Sequence, residues 1–179
     1  MKVLIDACVL YPTLLRELVI GATGLGQFEP LWSERIFAEW RATATRNNHT
    51  TEAEIAISDL NQRFPNALVP EDALLETRLS LPDENDIHVL AAAITGGAGE
   101  LLTLNVKDFP ARTLAKEGIL LREPDGFLLE QYHGNPEDMR AIVDNAMATA
   151  GSYGVDVSNP RRLLKRARVP RLGKALYAS

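Results

Sequence analysis

Residues 81–109 read LPDENDIHVLAAAITGGAGELLTLNVKDF. An acidic cluster opens an apolar, alanine-rich helix predicted from about Ile87 to Thr95, and glycines end that helix before a short apolar strand. Polar residues, among them Asn105 and Asp108, follow the strand. Because acids that open a helix and polar groups that leave a parallel strand can lie at one rim of an α/β sheet, we expect this stretch to supply two walls of a single acidic site.

Outside this stretch, short apolar runs alternate with helical patterns. The predicted strands lie near residues 2–5, 28–32, 67–69, 100–104 and 119–121. Such alternation predicts a parallel sheet covered by helices on both faces, with the carboxyl ends of the strands at the same rim. The first run is continuously apolar, which is typical of a buried central strand, whereas Pro30 places the second strand towards an edge.

Length and composition fit one domain with a small appendage. The chain has 179 residues, and its 46% hydrophobic content is enough to bury a core. The predicted α/β domain covers residues 1–130. Residues 131–179 are predicted to form a helical extension with a basic C-terminal tail.

The sequence predicts a cytoplasmic protein. It has no run of eighteen apolar residues, so no membrane span is expected. The N-terminus passes directly into a strand pattern without a cleavable apolar segment, so no signal peptide is expected. The single cysteine, Cys8, cannot form an internal disulfide and suits a reducing compartment.

The net charge of −5 conceals an acidic body and a basic tail. The chain from residue 161 onward has seven basic residues and no acid, which leaves 12 basic against 24 acidic residues before it. The basic residues are Arg161, Arg162, Lys165, Arg166, Arg168, Arg171 and Lys174. Such a tail indicates contact with nucleic acid or with an acidic partner. A solvated, charged helix face explains it equally well.

Two acids outside the opening stretch are candidate site residues. Asp6 ends the first strand, where its carboxylate either caps a turn or faces a polar site at the sheet rim. Glu39 lies among apolar residues of the helix after the second strand. Either it reaches water or pairs with Arg35 or Arg41, or it belongs to the site.

Asp83 and Asp86 have an equally simple structural explanation, since acids are favoured in the first turn of a helix. The two are three residues apart, however, and therefore project from neighbouring places on one helical face. Carboxylates held so close repel each other unless a cation lies between them.

Taken together, these acids resemble those of the PIN-domain family of nucleases, and the resemblance covers about residues 1–130. In that family an Asp ends the first strand, as in VLIDACVLYP, and a Glu lies on the helix after the second strand, as in SERIFAEW. An Asp opens the helix before an alanine-rich run, as in DENDIHVLAAA, and a further acid follows the fourth strand, as in LLTLNVKDF. By this resemblance, Asp6, Glu39 and Asp86 match three acidic positions of the family.

The fourth position differs from the family pattern. Where many members have Asp directly after the Thr-x that ends the fourth strand, this chain has Asn105, with Asp108 three residues on. Asparagine can bind a hard cation through its carbonyl oxygen but brings no negative charge, so Asp108 is the candidate for the missing acid. The pairing of HVLAAA with T-x-N-x-K-D-F is similar to the bacterial branch that includes VapC-type toxins.

The resemblance implies a PIN-like α/β/α sandwich with a central parallel sheet of about five strands and a metal-dependent endoribonuclease activity. Mg²⁺ or Mn²⁺ suits such a site because both prefer oxygen ligands. The predicted catalytic acids are Asp6, Glu39, Asp86 and Asp108. All but Glu39 are predicted metal ligands, and Glu39 is predicted to be either a ligand or a base that orients water.

Supporting residues and partners follow from the same resemblance. Asn105 and Asp83 are predicted to support the metal site, and the basic tail is the candidate RNA contact. The resemblance further implies the toxin of a bacterial type II toxin–antitoxin system, a homodimer and inhibition by an antitoxin. The three histidines are not spaced as a metal triad, and His88 is predicted to be a packing or rim residue.

Two other functions are compatible with the sequence. The first is a catalytically inactive PIN-like scaffold that binds RNA or protein, for which Asn105 is the suggestive feature. The second is a receiver-like signalling domain, which also gathers acids at a sheet rim and takes Mg²⁺. That fold needs a Lys at a later strand end; Lys107 fits this poorly, and the basic tail would have no role.

Overall fold

The computed structural model describes residues 1–177 and divides into two compact units. The first unit contains Met1–Tyr11 and Phe28–Arg122, and the second contains Pro12–Gln27 and the chain from Glu123 onward. No helix within residues 1–177 is both long enough and apolar enough to cross a membrane.

The strands are β1 (Lys2–Ile5), β2 (Glu29–Ser33), β3 (Leu68–Val69), β4 (Glu100–Leu102) and β5 (Leu120–Arg122). The α-helices are α1 (Ala7–Leu10), α2 (Thr13–Ala22), α3 (Glu34–Arg46), α4 (Thr50–Arg63), α5 (Ala73–Glu76), α6 (Ile87–Gly96), α7 (Ala111–Lys116), α8 (Pro124–Gly134), α9 (Pro136–Ser152), α10 (Pro160–Arg166) and α11 (Pro170–Leu176). The first unit holds the strands with α1 and α3 to α7, and the second holds α2 and α8 to α11.

The sheet of the first unit has five strands in the order β3-β2-β1-β4-β5, and every neighbouring pair is parallel. The predicted fold class, a parallel sheet of about five strands with helices and a C-terminal helical extension, is therefore confirmed. The apolar run of β1 occupies the centre, with Val3, Leu4 and Ile5 fully buried. Central position and full burial are what a continuous apolar strand requires.

The position of β2 differs from the prediction, because Pro30 does not lie in an edge strand. β2 is second in the sheet, between β3 and β1. Its pairing with β3 begins only at Trp32, whose amide donates to the Ala67 carbonyl. The Glu29 amide points the other way, to Met1 in front of β1. Because amides alternate along a strand, the missing Pro30 amide faces the side where β3 has not yet begun, and no ladder hydrogen bond is lost.

Helix α6 covers the sheet and packs against β1, β2, β3 and β4. Its end is set by two glycines. Gly97 takes a left-handed φ of 66° and forms the C-cap. A Cβ on Gly96 would lie 2.7 Å from the Leu31 side chain and 2.9 Å from that of Val69, so only glycine allows the last turn to approach β2 and β3 so closely.

The second unit is helical, with α9 packed against α2 and α8, and α11 packed against α8 and α10. The Asp125 carboxylate of α8 accepts hydrogen bonds from the backbone amides of Arg171 and Leu172 at the start of α11. Pro170 lies beyond the end of α10 and opens α11, since proline suits the first position of a helix.

Candidate active site

The carboxyl ends of β1 and β4 bring two polar residues side by side. β1 ends at Ile5 and β4 at Leu102, and the two strands are parallel neighbours. The Asp6 amide continues the ladder by donating to the Leu102 carbonyl at 3.1 Å. Asp6 and Thr103 therefore leave the sheet next to each other at one rim, where the sequence predicted Asp6 but not Thr103.

The Asp6 carboxylate has hydrogen-bond donors on both oxygens. Oδ1 accepts from the Ala7 amide at 2.6 Å, which caps α1. Oδ2 accepts from the Thr103 hydroxyl at 2.7 Å and from the Cys8 thiol at 3.2 Å. Burial raises the pKa of Asp6, and the charge of Glu39 raises it further, against the lowering effect of these hydrogen bonds. Asp6 thus caps a helix and also faces other acids of the site.

Three further carboxylates come together beside this rim. Asp83, Asp86 and Asp108 each offer an oxygen, and these oxygens all lie within 4.8 Å of one another. Asp83 accepts from the Asn85 amide and caps the 3-10 turn that precedes α6. Asp108 ends a 3-10 turn after β4. The two walls expected from residues 81–109 are therefore adjacent in space.

Asp86 is the electrostatic centre of the cluster. Its pKa is raised to about 6, first by burial and then by the negative charges of Asp6, Asp83, Asp108 and Glu39. A carboxylate whose charged form is opposed by four like charges gains from any cation that binds nearby. The other predicted acids therefore all raise the pKa of Asp86. Asp6 and Glu39 nevertheless lie outside the group of three residues whose oxygens approach within 4.8 Å.

Asn105 connects the two halves of the site. Its backbone amide donates to the Thr103 hydroxyl at 3.0 Å, and its side-chain amide donates to Asp86 Oδ2 at 3.2 Å. Thr103 in turn donates to Asp6. Asn105 thus contributes a neutral donor to Asp86 where a carboxylate would add another negative charge, and its carbonyl oxygen is the atom suited to bind a cation.

Of the two structural alternatives for Glu39, access to water is present, since the side chain is 44% exposed, but the pairing with Arg35 or Arg41 is wrong. Arg35 binds Glu76 at 2.7 Å, and Arg41 binds Glu54 at 2.8 Å. Both arginines therefore form salt bridges with acids on other helices of the first unit, Arg35 with one on α5 and Arg41 with one on α4. Glu39 is left facing the acidic site.

The partner of Glu39 is a histidine. His88 Nε2 lies 2.5 Å from Glu39 Oε1. The Glu39 side chain is 44% exposed and that of His88 only 3%. The predicted packing or rim role of His88 is therefore incomplete. The ring is a buried residue of α6, but it also contacts a candidate catalytic acid.

Sequence reasoning missed three residues of the site: Cys8, His88 and Thr103. Thr103 directly follows β4 and could have been found as the first polar residue after that strand. Burial and the charge of Asp6 raise the pKa of the Cys8 thiol to about 12, so this cysteine is not a nucleophile near neutral pH. Its thiol instead takes part in hydrogen bonds with Asp6 and the Leu104 amide.

The seven basic residues of the tail belong to the second unit, in and around α10 and α11. All seven are exposed. Within residues 1–177 none of them forms a salt bridge. Their charges are therefore available to a polyanion, and the structure gives each of them a position on a folded helix or turn.

A family model described as PIN domain matches residues 2–107. The chain belongs to the PIN-domain family. Searches of curated proteins and of solved structures found no match. PIN domains are generally nucleases and usually use a divalent metal. The matched region contains Asp6, Glu39, Asp86 and Asn105, and it ends one residue before Asp108.

The residues of this PIN domain fit a divalent cation. The donor set around Asp86 consists of carboxylate and amide oxygens, which Mg²⁺ and Mn²⁺ prefer. The raised pKa of Asp86 indicates that a positive charge close to it is stabilising. No histidine or cysteine joins this group of three carboxylates within residues 1–177, which argues against a zinc-type ligand set.

Proposed function

We propose that this PIN domain is a metal-dependent endoribonuclease that hydrolyses RNA phosphodiester bonds with Mg²⁺ or Mn²⁺. The observation that supports it best is the convergence of four acids on Asp86, whose pKa is raised to about 6 by burial and by these acidic neighbours. Such a concentration of negative charge destabilises the cation-free fold, so its presence indicates a functional site.

The metal ligands proposed are Asp6, Asp86 and Asp108, and Asp83 supports them from its place within 4.8 Å of the latter two. When bound, a divalent cation would activate a water for attack on the phosphodiester and neutralise developing charge. Asp6 is held for this role by Thr103, whose hydroxyl fixes one oxygen of the carboxylate. Asp6 therefore needs little reorganisation on binding.

Glu39 is proposed as the residue that binds the cation or orients the attacking water. Its charge reaches both Asp6 and Asp86, and its half-exposed side chain is accessible to substrate. Asn105 supports the site by holding Asp86 Oδ2. No serine or cysteine of the protein is needed as a nucleophile in this mechanism.

The RNA is proposed to contact the basic tail, since seven exposed cations can neutralise phosphates that the acidic site would otherwise repel. By resemblance to VapC-type proteins, we propose the toxin of a bacterial type II toxin–antitoxin system. A homodimer, a cognate antitoxin and a cytoplasmic location belong to the same proposal. The nuclease domain is proposed to extend over residues 1–130, and the helical extension over 131–179.

The test is cleavage of a mixed RNA pool by the purified full-length chain, with Mg²⁺ or Mn²⁺ and with EDTA. Asp6→Asn and Asp86→Asn are expected to abolish cutting. Asp138→Asn is the matched control, because Asp138 is an exposed carboxylate of the second unit. Cutting that persists in EDTA, or in both site variants, would refute the proposal.

A second function, an inactive scaffold that binds RNA or protein, is favoured by one observation. Asn105 stands where many PIN domains have an acid, which lowers the negative charge available to a cation. A scaffold predicts RNA binding that EDTA and Asp86→Asn leave unchanged. If the protein is a nuclease, Asn105→Asp should bind the cation more tightly and still cut RNA.

A further inference from the structure

His88 is buried in the first unit, two residues after Asp86 on α6. One ring nitrogen, Nε2, lies 2.5 Å from Glu39 Oε1. The other, Nδ1, is buried without a hydrogen-bond partner in residues 1–177. A buried polar atom without a partner is uncommon. Because Nδ1 has none within this part of the chain, the contact with Glu39 and the packing around the ring are what fix its orientation.

The Glu39 contact determines where the ring proton lies. A carboxylate only accepts hydrogen bonds, so Nε2 must carry the proton that it donates to Glu39. The geometry therefore places a ring proton on Nε2, facing Glu39 Oε1.

We propose that His88 is a positioning residue that holds the Glu39 carboxylate towards the acidic site. The proposal rests on the proposed nuclease function. The Glu39 side chain is 44% exposed and would otherwise sample several rotamers, whereas the His88 ring is 3% exposed and fixed in α6. By binding Oε1, His88 leaves Oε2 for the cation or the attacking water. Carboxylates at metal sites are commonly oriented by such a hydrogen bond from a neighbouring side chain.

The kinetic test compares His88→Leu with His88→Gln in RNA cleavage with Mn²⁺. His88→Leu keeps an apolar side chain of similar size but removes the donor. It is expected to lower kcat about 10- to 100-fold, with KM changed by less than about twofold, since RNA binding energy is little altered. His88→Gln retains an N–H donor and is expected to restore part of kcat. His133→Gln, at an exposed histidine, is the matched control.

The contact itself is tested without catalysis. Long-range ¹H–¹⁵N correlation spectra at pH 8 report the tautomer of each of the three histidines, and the loss of one signal set in His88→Gln assigns His88. The expected result is a proton on Nε2 in the wild type, with the ¹⁵N shifts of His88 moving in Glu39→Ala. A proton on Nδ1, or shifts that Glu39→Ala leaves unchanged, would overturn the contact.

These outcomes separate the inference from the proposed function. If wild type cuts RNA and His88→Leu cuts equally well, the positioning role is wrong and the nuclease function stands. If His88→Leu and His88→Gln lose activity equally, and only in proportion to their folded fraction, the role is structural and the inference is wrong. If wild type does not cut RNA, the nuclease function and the catalytic role of His88 both fail, while the spectra still decide the contact.

Discussion

Replacing Asp86 by Asn is expected to stabilise the cation-free protein. The Asp86 carboxylate is opposed by burial and by the charges of Asp6, Asp83, Asp108 and Glu39, which together raise its pKa to about 6. Asparagine removes the charge, and its carbonyl oxygen can still accept the hydrogen bond from Asn105. A change at the centre of the site would thus cost function and increase the free energy of unfolding.

The size of the effect follows from the pKa. A rise in the pKa from the usual aspartate value of 3.8 to about 6 corresponds to about 3 kcal/mol at about 1.4 kcal/mol per pKa unit. Asp86 is partly exposed, so solvent and salt screen the repulsion, and about 1 kcal/mol is the more realistic gain. For a chain of this length, that is a rise in Tm of roughly 2–4 °C.

The pH dependence supplies a signature. Because the folded-state pKa of Asp86 is raised, its protonation stabilises the fold. That contribution is fully present below about pH 4 and is lost as the pH rises through about 6. The advantage of Asp86→Asn over wild type should therefore be largest above about pH 7 and should shrink as the pH falls towards 5.

The assay is thermal unfolding in EDTA followed by tryptophan fluorescence. Both tryptophans of the chain, Trp32 and Trp40, are buried in the first unit, so the signal reports on the unit that contains the site. Adding Mn²⁺ should reverse the order, because only wild type gains about 2.7 kcal/mol at a hundredfold excess over Kd. An Asp86→Asn variant that is less stable than wild type in EDTA at pH 8, or that gains equally from Mn²⁺, would refute the reasoning.

Three further predictions concern the surroundings of the site and the tail. Thr103→Val removes the hydroxyl that donates to Asp6; we expect a loss of about 1–3 kcal/mol in the free energy of unfolding by denaturant titration, and an unchanged value would show that this hydrogen bond is unimportant. Asn105→Asp adds an acid beside Asp86, so calorimetry should give tighter Mn²⁺ binding while the cation-free Tm falls; weaker binding would exclude Asn105 as a neighbour of the cation. Replacing Arg161 and Arg162 by Gln should weaken RNA binding and reduce the slope of log K against log salt concentration by up to about 1.4, and an unchanged slope would remove these arginines from the RNA contact.

The sheet was predictable because its strands differ sharply from their surroundings. β1 and β4 are apolar runs followed at once by polar residues, and their observed bounds lie within two residues of those predicted. The adjacency of Asp6 and the residues after β4 then follows from the parallel order. Residues 81–109 carried enough local information to predict both a helix start and a strand end at one rim.

The Glu39–His88 pair could not be predicted in this way. The two residues are 49 positions apart on different helices, and no local pattern encodes how α3 and α6 approach each other. For Glu39, sequence spacing favoured the nearby Arg35 and Arg41, yet both are taken by acids on other helices. Pairings of this kind depend on tertiary packing, which periodicity does not specify.

The basic tail was predictable in composition but only partly in structure. The sequence predicts a helical extension with a basic tail but does not show where its helices begin and end. In the structure, α10 ends before Arg168, which has a left-handed φ of 68°, and α11 follows. The carboxylate of Asp125 accepts a hydrogen bond from the backbone amide of Arg171, 46 residues later in the chain, at the start of α11. The local sequence contains no signal for this long-range hydrogen bond.

The most direct measurement of the central claim is the rate of RNA cleavage by wild type and Asp86→Asn as a function of Mn²⁺ concentration, with a labelled RNA that wild type cuts once. A metal-dependent nuclease site centred on Asp86 should give no cutting in EDTA, a wild-type rate that rises with Mn²⁺ to a plateau, and no measurable cutting by the variant at any concentration. Equal rates for the two proteins, or a rate that does not depend on the cation, would contradict it.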